Sequence, residues 1–275
     1  MNIGKYNTLK IDELTEFGFY LVDEKNERVL LPNVYTTENM TIGDEVEVFI
    51  YTDSEDRRVA TTLKPKGVVG DFVALEVVDI ANFGIFMDWG LPKNLLIPKK
   101  FQEGHYEIGE IRVVKILEDK NTGRVYGIEK YKDLLSKNVK GLKRNEEVDL
   151  IVTKETEIGF KVLINEKFEG LVFKNRVFGN LKVGNKTKGY IETIREDKKI
   201  DVVLQPIGKK SFSLGADKVF EILEQNGGKM NFTYKSNPEE ISRVFGLSRK
   251  LFKRSLTELL ENKRIKLNDN SIEKL

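Results

Sequence analysis

The sequence predicts a mainly β protein in which three small barrels stand in tandem before an α+β domain of three helices and a hairpin. Three observations predict this arrangement. A glycine-marked pattern occurs three times, each copy alternates apolar and polar residues as strands do, and the period becomes helical after residue 209. The length of 275 residues is by itself enough for about two domains with a substantial core.

Glycines mark the internal repeat. They lie at residues 4, 18 and 43, again at 70, 84 and 109, and then at 159 and 184, with Asn145 where a third leading glycine would stand. Every copy keeps the same intervals of 14 and 25 residues. Fourteen residues after each middle glycine come Pro32, Pro98 and Phe173. Three segments that share these intervals indicate a repeat, which has to be identified first because it determines the fold.

Each copy of the repeat has the pattern of short strands. In the second copy, for example, Val73, Leu75 and Val77 alternate with residues of a second face. A glycine inside such a run marks a bulge, a sharp bend or a close backbone approach. Five short strands in about 65–70 residues, coiled by an interior glycine, fit a closed Greek-key barrel of the OB-fold type, which leaves few exposed strand edges. We therefore predict barrels over residues 1–62, 63–135 and 136–209.

The C-terminal segment, residues 210–275, changes to helical spacing. Ala216, Val219 and Leu223 predict a first helix, which glycines 227 and 228 end. Pro238 opens a short second helix, and Gly246 ends it.

A third helix begins after Ser248, a suitable N-cap, and runs to about Asn262. Its basic residues lie off its apolar stripe: Arg249, Lys250, Lys253 and Arg254. A β-like tail over residues 265–272 predicts a hairpin. Three helices with a glycine turn between the second and third, plus a hairpin, make a winged helix-turn-helix. The predicted fold class is mainly β: three tandem OB-fold five-stranded barrels followed by an α+β winged helix-turn-helix domain over residues 210–275.

The charge of the chain is distributed unevenly. Lys and Arg number 46 and Asp and Glu 44, which gives a net charge of +2. The four predicted domains carry 6, 11, 16 and 13 basic against 13, 11, 11 and 9 acidic residues, hence −7, 0, +5 and +4. A basic C-terminal half indicates a polyanionic partner. The same charges also fit solvated faces of mixed sign.

Composition and motifs exclude several classes of protein. The absence of cysteine rules out disulfides, a thiol nucleophile and cysteine zinc sites, and one histidine, His105, rules out multi-histidine metal sites. His105 lies in an acidic, loop-like stretch that is typical of a surface histidine. No phosphate-binding loop, dinucleotide fingerprint or nucleophile elbow is present, so we predict no enzyme, no catalytic residues, no metal and no cofactor. No signal core or long apolar run occurs, which predicts a soluble cytoplasmic protein without a membrane partner.

The middle repeat resembles a known domain. Residues 69–88, together with residues 108–110 and 118–124, resemble an S1-type RNA-binding domain. Three such domains followed by a winged helix are the arrangement of the conserved virulence factor B family of bacterial RNA-binding regulators. Residues 245–256 are similar to the C-terminal module of that family. The resemblance covers essentially the whole chain and implies S1-type barrels and an RNA partner.

The resemblance also implies which positions contact RNA. In S1-type domains two aromatic residues three positions apart, on either side of the strand glycine, form a platform on which bases stack. S1-type domains also have an acidic residue followed by a basic one in a later loop. The first repeat matches this pair with Asp53 and Arg57, and the second with Asp119 and Arg124. The third repeat has only the basic residue, Lys198 or Lys199. The RNA-binding residues implied in this way are Phe17, Tyr20, Arg57, Phe83, Phe86, Asp119, Arg124 and Lys161.

The third repeat departs from this pattern. Ile158 and Lys161 occupy its two platform positions, which removes both rings. The histidine typical of the next strand is absent from all three repeats, where Pro32, Pro98 and Phe173 stand. We therefore do not expect the three barrels to bind equally.

Several of these residues have an alternative role. An aromatic side chain at a platform position could instead pack in a barrel core, because inward and outward positions alternate along a strand. Phe173 fits a core position better than a ligand contact, and Trp89 fits a core or rim position better than base stacking. The four basic residues of the third helix could enter a DNA major groove, follow RNA phosphates or simply be solvated.

The sequence supports one function above two others. We predict a non-catalytic protein that binds single-stranded RNA, messenger RNA above all, and regulates bacterial gene expression after transcription. Base stacking is expected in the middle barrel, phosphate affinity in residues 136–275, and the smallest contribution in residues 1–62. The alternatives are a DNA-binding transcriptional regulator that acts through the winged helix, with the barrels as a scaffold, and a pure interaction scaffold. The sequence leaves the oligomeric state open.

Overall fold

The computed structural model describes residues 1–177, 179–207 and 209–275. It confirms the predicted fold class, with three barrel-like groups of five strands followed by a winged helix. The chain divides into two compact units, residues 1–134 and 135–275. Phe178 and Gly208, both within the predicted third barrel, lie outside the described residues.

Barrel 1 closes in the order β1-β2-β3-β5-β4. Its strands are β1 (Tyr6–Thr15), β2 (Gly18–Val22), β3 (Arg28–Pro32), β4 (Glu45–Thr52) and β5 (Arg58–Thr61). All neighbours are antiparallel except β3 and β5, which pair in parallel and complete the barrel. The interior is filled by alternate strand residues, among them Ile11, Leu21 and Leu31. Period-two alternation therefore identified the buried face.

Barrel 2 repeats this topology. Its strands are β6 (Phe72–Ala81), β7 (Gly84–Met87), β8 (Leu95–Pro98), β9 (Ile111–Glu118) and β10 (Val125–Ile128). The sheet order is β10-β9-β6-β7-β8, and β10 also lies against β8, so this barrel is nearly closed. Val77, Ile85, Met87 and Ile97 lie in its core.

Barrel 3 closes in the same order as barrel 1. Its strands are β11 (Glu147–Glu155), β12 (Gly159–Ile164), β13 (Phe168–Phe173), β14 (Lys186–Ile194) and β15 (Ile200–Val203). The long first strand of each barrel shifts register once, at residue 12, 78 or 153. Such a bulge increases the local twist that closure of a small barrel requires.

The interior glycine at the start of the second strand allows a close backbone approach in each barrel. A Cβ on Gly18 would lie 2.1 Å from the carbonyl oxygen of Leu31, and one on Gly159 would lie 2.2 Å from that of Val172. On Gly84 it would lie 2.7 Å from the carbonyl oxygen of Ile97. The close approach expected from the sequence is therefore present three times.

The winged helix contains α1 (Lys209–Gln225), β16 (Lys229–Met230), α2 (Pro238–Phe245), α3 (Arg249–Glu261), β17 (Ile265–Leu267) and β18 (Ile272–Lys274). The Ser248 hydroxyl caps α3 by accepting the N–H of Leu251, and α2 ends at Gly246 in the left-handed region, φ 59°. The sequence analysis missed β16, which pairs with β18, because two residues are too few to show a period.

Barrels 1 and 2 share a packed junction inside the first unit. Trp89 is 3% exposed, its ring lies edge-on to Phe49 at 5.5 Å, and its indole N–H donates to the carbonyl oxygen of Gly67 at 2.8 Å. The N–H of Val69 also donates to the carbonyl oxygen of Gly4 at 2.8 Å. Trp89 is thus a core residue at the junction of two barrels, as its sequence context favoured, and not a base-stacking side chain.

Asn145 organises the start of barrel 3. It takes the place of the leading glycines with φ 63°, a left-handed conformation that asparagine tolerates better than most side chains. Its side-chain amide donates to the carbonyl oxygen of Ile207 at 3.2 Å and accepts the N–H of Ile207 at 2.7 Å. The segment that leaves barrel 3 is therefore fixed to the segment that enters it.

Candidate nucleic-acid interface

The three barrels present the same structural end, which we call the tip. At each tip the turn between the first two strands lies beside a 3-10 turn that follows the third strand, over Asn33–Tyr35, Lys99–Phe101 or Lys174–Arg176. One hydrogen bond joins the two turns each time. A backbone N–H of the 3-10 turn donates to a carbonyl oxygen of the hairpin turn at 2.9–3.1 Å. The pairs are Asn33 to Phe17, Lys99 to Phe83 and Lys174 to Ile158.

Equivalent residues can be compared across the tips because the strand registers match. In each barrel the residue four positions before the strand glycine faces the residue just after that glycine, in the pairs Leu14↔Phe19, Ile80↔Ile85 and Glu155↔Phe160. We define tip 1 as Leu14, Phe17 and Val34, tip 2 as Ile80, Phe83 and Lys100, and tip 3 as Glu155, Ile158 and Asn175. Each tip combines one residue of the long strand, one of the hairpin turn and one of the 3-10 turn.

Tip 2 presents the predicted aromatic platform. Phe83 is 63% exposed and Phe86 is half-buried, and their rings meet edge to face with centroids 5.8 Å apart. Ile80, beside them, is 47% exposed. Lys99 and Lys100 follow on the adjoining 3-10 turn, and both are exposed. An exposed ring with cations next to it suits a base and its phosphate.

A second aromatic pair extends the surface of barrel 2. Phe101 and Tyr126 stack with centroids 5.6 Å apart and planes 19° from parallel, and the Lys100 ammonium lies 4.7 Å from the Phe101 centroid. The sequence analysis missed these residues, and it also missed Ile80 and Lys99. The constant spacing of 16 residues from Phe17 to Asn33, Phe83 to Lys99 and Ile158 to Lys174 could have revealed the 3-10 turns.

In barrel 1 the two platform positions are not equally open. Phe17 is 65% exposed, whereas Tyr20 is half-buried and its ring lies under the guanidinium of Arg28, 4.6 Å from the centroid. Arg28 in turn pairs with Glu13, and with Asp12 at 3.3 Å, and these hydrogen-bonding and Coulomb contacts raise its pKa. The barrel 1 platform is thus an open phenylalanine beside a ring that a paired arginine covers.

In barrel 3 the structure places Ile158 and Lys161 at the platform positions. Ile158 is 62% exposed, and the Lys161 ammonium lies 3.5 Å from the carboxylate of Glu169. Both side chains are at least 43% exposed, but neither carries a ring.

Barrel 3 also reverses the polarity of the later hairpin. Arg195 occupies the position that Asp53 and Asp119 have in the other barrels. In all three barrels the backbone N–H of this residue donates to the carbonyl oxygen of the residue that closes the turn. Its guanidinium forms two 2.8 Å hydrogen bonds with Asp201, which is 8% exposed, and lies 5.7 Å from the centroid of the half-buried Phe173. Phe173 is thus half-buried rather than fully in the core. Of the two lysines predicted here, Lys198 has φ 64° at the turn and Lys199 pairs with Asp197 at 2.7 Å.

The acidic and basic residues predicted for the loop of barrel 2 bond through their backbones, but their side chains have other partners. Asp119 caps its own turn by accepting the N–H of Asn121 at 2.9 Å, and this backbone hydrogen bond lowers its pKa. Arg124 donates from Nε to Asp56 of barrel 1 at 3.0 Å and forms a second bond to the same carboxylate. Arg124 therefore joins two barrels, a role that its sequence context did not reveal.

The matching pair in barrel 1 does come together. Asp53 accepts the backbone N–H groups of Glu55 and Arg57 at 2.9 and 3.0 Å, and the Nε of Arg57 at 2.8 Å. The guanidinium and the backbone donors hold the pKa of Asp53 below its usual range, although its partial burial raises it. The backbone oxygen of Asp53 also accepts Lys93 of barrel 2 at 2.6 Å. This loop is therefore built into the junction between the barrels.

The basic residues of α3 lie on its outer side. Arg249, Lys250 and Arg254 are exposed and Lys253 is half-buried, while the apolar stripe faces the core of the domain. The start of α3 borders a groove that also involves barrel 3, with lining residues Gly179, Asn180, Ser242, Arg243 and Arg249. The amide of Gln205 donates to the carbonyl oxygen of Gly246 at 2.8 Å, so the turn between α2 and α3 is held against barrel 3.

His105 is exposed on a loop of barrel 2. Beside it, Arg112 bonds to the carbonyl oxygen of His105 at 2.6 Å and to Glu129 at 3.1 Å, and Tyr106 donates to the same carboxylate. Burial raises the pKa of Tyr106 further. This network fixes a loop. Within the described ranges, no three acidic or histidine side chains are grouped to hold a metal, and no helix is long and apolar enough to cross a membrane.

Comparisons with known proteins agree with this architecture. Residues 3–63 match the model of an S1 domain, and residues 217–273 match that of a CvfB-like winged helix domain. Both families are of nucleic-acid-binding or virulence factor types. The chain is 27% identical to an uncharacterized protein, YitL, of Bacillus subtilis, over 96% of this chain and 91% of that protein.

Two further similarities cover the whole chain. Conserved virulence factor B of Staphylococcus epidermidis is 22% identical over 98% of this chain and 94% of that protein. A crystal structure described as a multidomain protein with nucleic acid binding domains, from Streptococcus pneumoniae, is 22% identical with a TM-score of 0.46, over 100% of this chain and 99% of that one.

Proposed function

We propose that this chain, which belongs to the conserved virulence factor B family, binds single-stranded RNA without catalysis and regulates bacterial gene expression after transcription. Its domains are of nucleic-acid-binding types. We infer in addition that the nucleic acid is RNA, that the target is messenger RNA and that the protein acts in the cytoplasm.

The observation that carries the proposal is the exposure of Phe83. A phenylalanine that is 63% exposed contributes little to a core, so its position on the surface needs another explanation. Its ring and that of Phe86 lie nearly perpendicular to each other. Lys99 and Lys100 are on the adjoining 3-10 turn. Each base stacked on such a ring gains about 1–3 kcal/mol, with little dependence on sequence.

Single strands suit this surface better than duplexes. In a duplex the bases are already stacked and paired, so a ring reaches them only after they are unstacked at a cost of a few kcal/mol. Unpaired bases can lie on Phe83 and Phe86 while Lys99 and Lys100 contact the phosphates. The proposal therefore assigns base contacts to tip 2.

Phosphate contacts are assigned to the basic half of the chain. Residues 136–209 and 210–275 carry net charges of +5 and +4, against −7 for residues 1–62. Arg249, Lys250 and Arg254 are exposed on α3, and Lys161 is half-buried on barrel 3 beside Glu169. Contacts of this kind add affinity that decreases as salt increases.

Binding to single-stranded RNA and to duplex DNA, measured against salt concentration for the full chain, tests the proposal. The variants are Phe83→Ala/Phe86→Ala and Arg249→Ala/Lys253→Ala. The aromatic variant should lose roughly 2–5 kcal/mol on RNA with an unchanged salt slope. The basic variant should lose less and bind with a reduced salt slope, by about one for each phosphate contact removed. If the aromatic variant binds RNA as the wild type does, the proposal fails.

A DNA-binding regulator is the second candidate, and the exposed cations of α3 favour it. A recognition helix places its N-terminal residues in the major groove. Here that end of α3 borders barrel 3 across the groove that Asn180 and Arg249 line, so a duplex bound there would also meet barrel 3. Normal RNA binding by the aromatic variant together with loss of duplex binding by the basic variant would favour DNA. Absence of binding to either nucleic acid would favour an interaction scaffold.

A further inference from the structure

Tip 1, at the end of barrel 1, is exposed to solvent and mostly aliphatic, whereas a base-stacking surface needs aromatic rings. Leu14, Phe17 and Val34 are 58%, 65% and 79% exposed. Single exposed apolar residues are ordinary, but three at one end of a barrel need an explanation. The amide of Asn33 donates to the carbonyl oxygen of Glu16 at 2.7 Å and its N–H to that of Phe17 at 3.0 Å, so the turns that carry these residues are held together.

Tip 1 also has little aromatic surface on which a base could stack. Leucine and valine have no ring face for a base, and the one further ring nearby, Tyr20, lies under Arg28. At tip 2 the equivalent of Val34 is Lys100, a cation on the turn that is hydrogen-bonded to the turn of the exposed Phe83. The same fold therefore presents aliphatic surface in barrel 1 where it presents a cation in barrel 2.

Carboxylates surround tip 1. Asp12, Glu13 and Glu16 stand where barrel 2 has Val78, Asp79 and Asn82, and Asn33 stands where it has Lys99. With Val34 and Lys100 included, these positions sum to −3 at tip 1 and to +1 at tip 2, and Arg28 brings the charge around tip 1 to −2. Arg28, the cation beside these acids, is itself paired with Asp12 and Glu13. A phosphate backbone would be repelled from this surface.

We propose that tip 1 docks a basic polypeptide segment of another protein that carries apolar side chains, so that barrel 1 is a protein-binding domain in a nucleic-acid-binding chain. The apolar side chains of the partner would cover Leu14, Phe17 and Val34. Its lysine or arginine side chains would pair with Glu16 at the rim and compete with Arg28 for Asp12 and Glu13, and opposite charges there determine orientation and the rate of association. Charge complementarity selects a basic occupant over an RNA.

Two matched double variants of the full chain test this assignment. Leu14→Ser/Phe17→Ser alters tip 1, and Ile80→Ser/Phe83→Ser alters the equivalent positions of tip 2. The probes are a short synthetic peptide of alternating lysine and leucine, its glutamate–leucine counterpart, and a single-stranded RNA, all followed by fluorescence anisotropy. Circular dichroism of each variant verifies that the fold is kept.

The inference predicts opposite effects of the two changes. The tip 1 variant should lose about tenfold or more in affinity for the lysine–leucine peptide and keep its affinity for RNA. The tip 2 variant should keep its affinity for the peptide and bind RNA more weakly. Glu16→Lys should reduce peptide affinity by about two- to fivefold, and the glutamate–leucine peptide should bind more weakly than the lysine–leucine peptide to the wild type.

Three results would overturn the inference. The first is unchanged peptide affinity in the tip 1 variant, and the second is a loss of RNA affinity there equal to that of the tip 2 variant. The third is a concentration-dependent dimer in sedimentation that the tip 1 change abolishes, since that would assign the surface to a second copy of the chain. Failure of the wild type to bind RNA would instead overturn the proposed function, while the peptide result would still decide the role of tip 1.

Discussion

Arg124 of barrel 2 and Asp56 of barrel 1, 68 positions apart in sequence, form a two-bond ion pair at the junction of the two barrels. Lys93 of barrel 2 lies on the same hairpin of barrel 1, with its ammonium 2.6 Å from the backbone oxygen of Asp53. The S1-type resemblance implies an RNA contact for Arg124. Its guanidinium also connects two domains, so its mutation is expected to affect stability.

Asp56→Asn should make the first unit less stable at neutral pH, by a small amount because the pair is exposed. The hydrogen bond and charge of Arg124 lower the pKa of Asp56. A carboxyl group whose pKa is lower in the folded state contributes stability above its unfolded pKa, and loses it as the pH falls through the folded value. Urea unfolding of both proteins should therefore differ at neutral pH and converge in acid. A difference that persists in acid would contradict this role.

Trp89→Phe should destabilise the first unit by about 1–3 kcal/mol. Phenylalanine keeps most of the packing against Phe49 but cannot donate to Gly67, whose carbonyl oxygen would lose its partner. Urea unfolding followed by far-UV circular dichroism measures the change.

Trp89 is also the one tryptophan of the chain, so its fluorescence reports on the junction of the barrels. Arg124→Gln should loosen the docking of barrel 1 on barrel 2 and thereby shift the Trp89 emission slightly to the red. An unchanged stability in Trp89→Phe would show that the indole hydrogen bond contributes nothing.

Substitutions at Asn145 should separate backbone conformation from side-chain hydrogen bonding. Asn145→Ala loses both, because alanine is strained at φ 63° by about 1–2 kcal/mol and lacks the amide that holds Ile207. Asn145→Gly loses only the amide. Thermal unfolding should rank the proteins wild type, Asn145→Gly and Asn145→Ala in order of falling stability. Equal stability of the two variants would mean that the backbone conformation is unimportant.

Gly159→Ala should destabilise barrel 3 by about 1–3 kcal/mol, because the added methyl group would lie 2.2 Å from the carbonyl oxygen of Val172 and force the two strands apart. Asn175→Ala, on the exposed 3-10 turn of the same tip, is the matched control and should change stability little. Denaturant unfolding compares the two. Full stability in Gly159→Ala would show that the strands can separate without cost.

The repeat spacing predicted the fold because each barrel needs a glycine at the same place. Strand length, closure and the close approach at Gly18, Gly84 and Gly159 are local properties, and a local pattern is enough to predict them. The S1-type resemblance implied the exposure of Phe17 and Phe83, whereas the alternation along a strand left core packing open. The winged helix was equally accessible, because its caps at Ser248 and Gly246 are single residues with a known preference.

Contacts between distant residues could not be predicted in this way. The partner of Arg124 is 68 positions away, and Arg195 bonds to Asp201 in a barrel where the expected acidic residue is missing. Which of two alternating faces packs against a neighbouring barrel is decided in three dimensions, as for Trp89. For the same reason the difference in charge between tips 1 and 2 became visible only when the 3-10 turns were placed beside the hairpins.

The affinity of Phe83→Leu/Phe86→Leu for single-stranded RNA, at one fixed salt concentration, tests the central claim most directly. Leucine keeps the apolar character of both positions and removes only the rings. The account predicts a loss of about 1–3 kcal/mol for each base that loses its ring, with unchanged circular dichroism and thermal stability. Phe17→Leu, the matched control in barrel 1, should bind RNA as the wild type does. RNA affinity that stays at the wild-type value in Phe83→Leu/Phe86→Leu would contradict base stacking at tip 2.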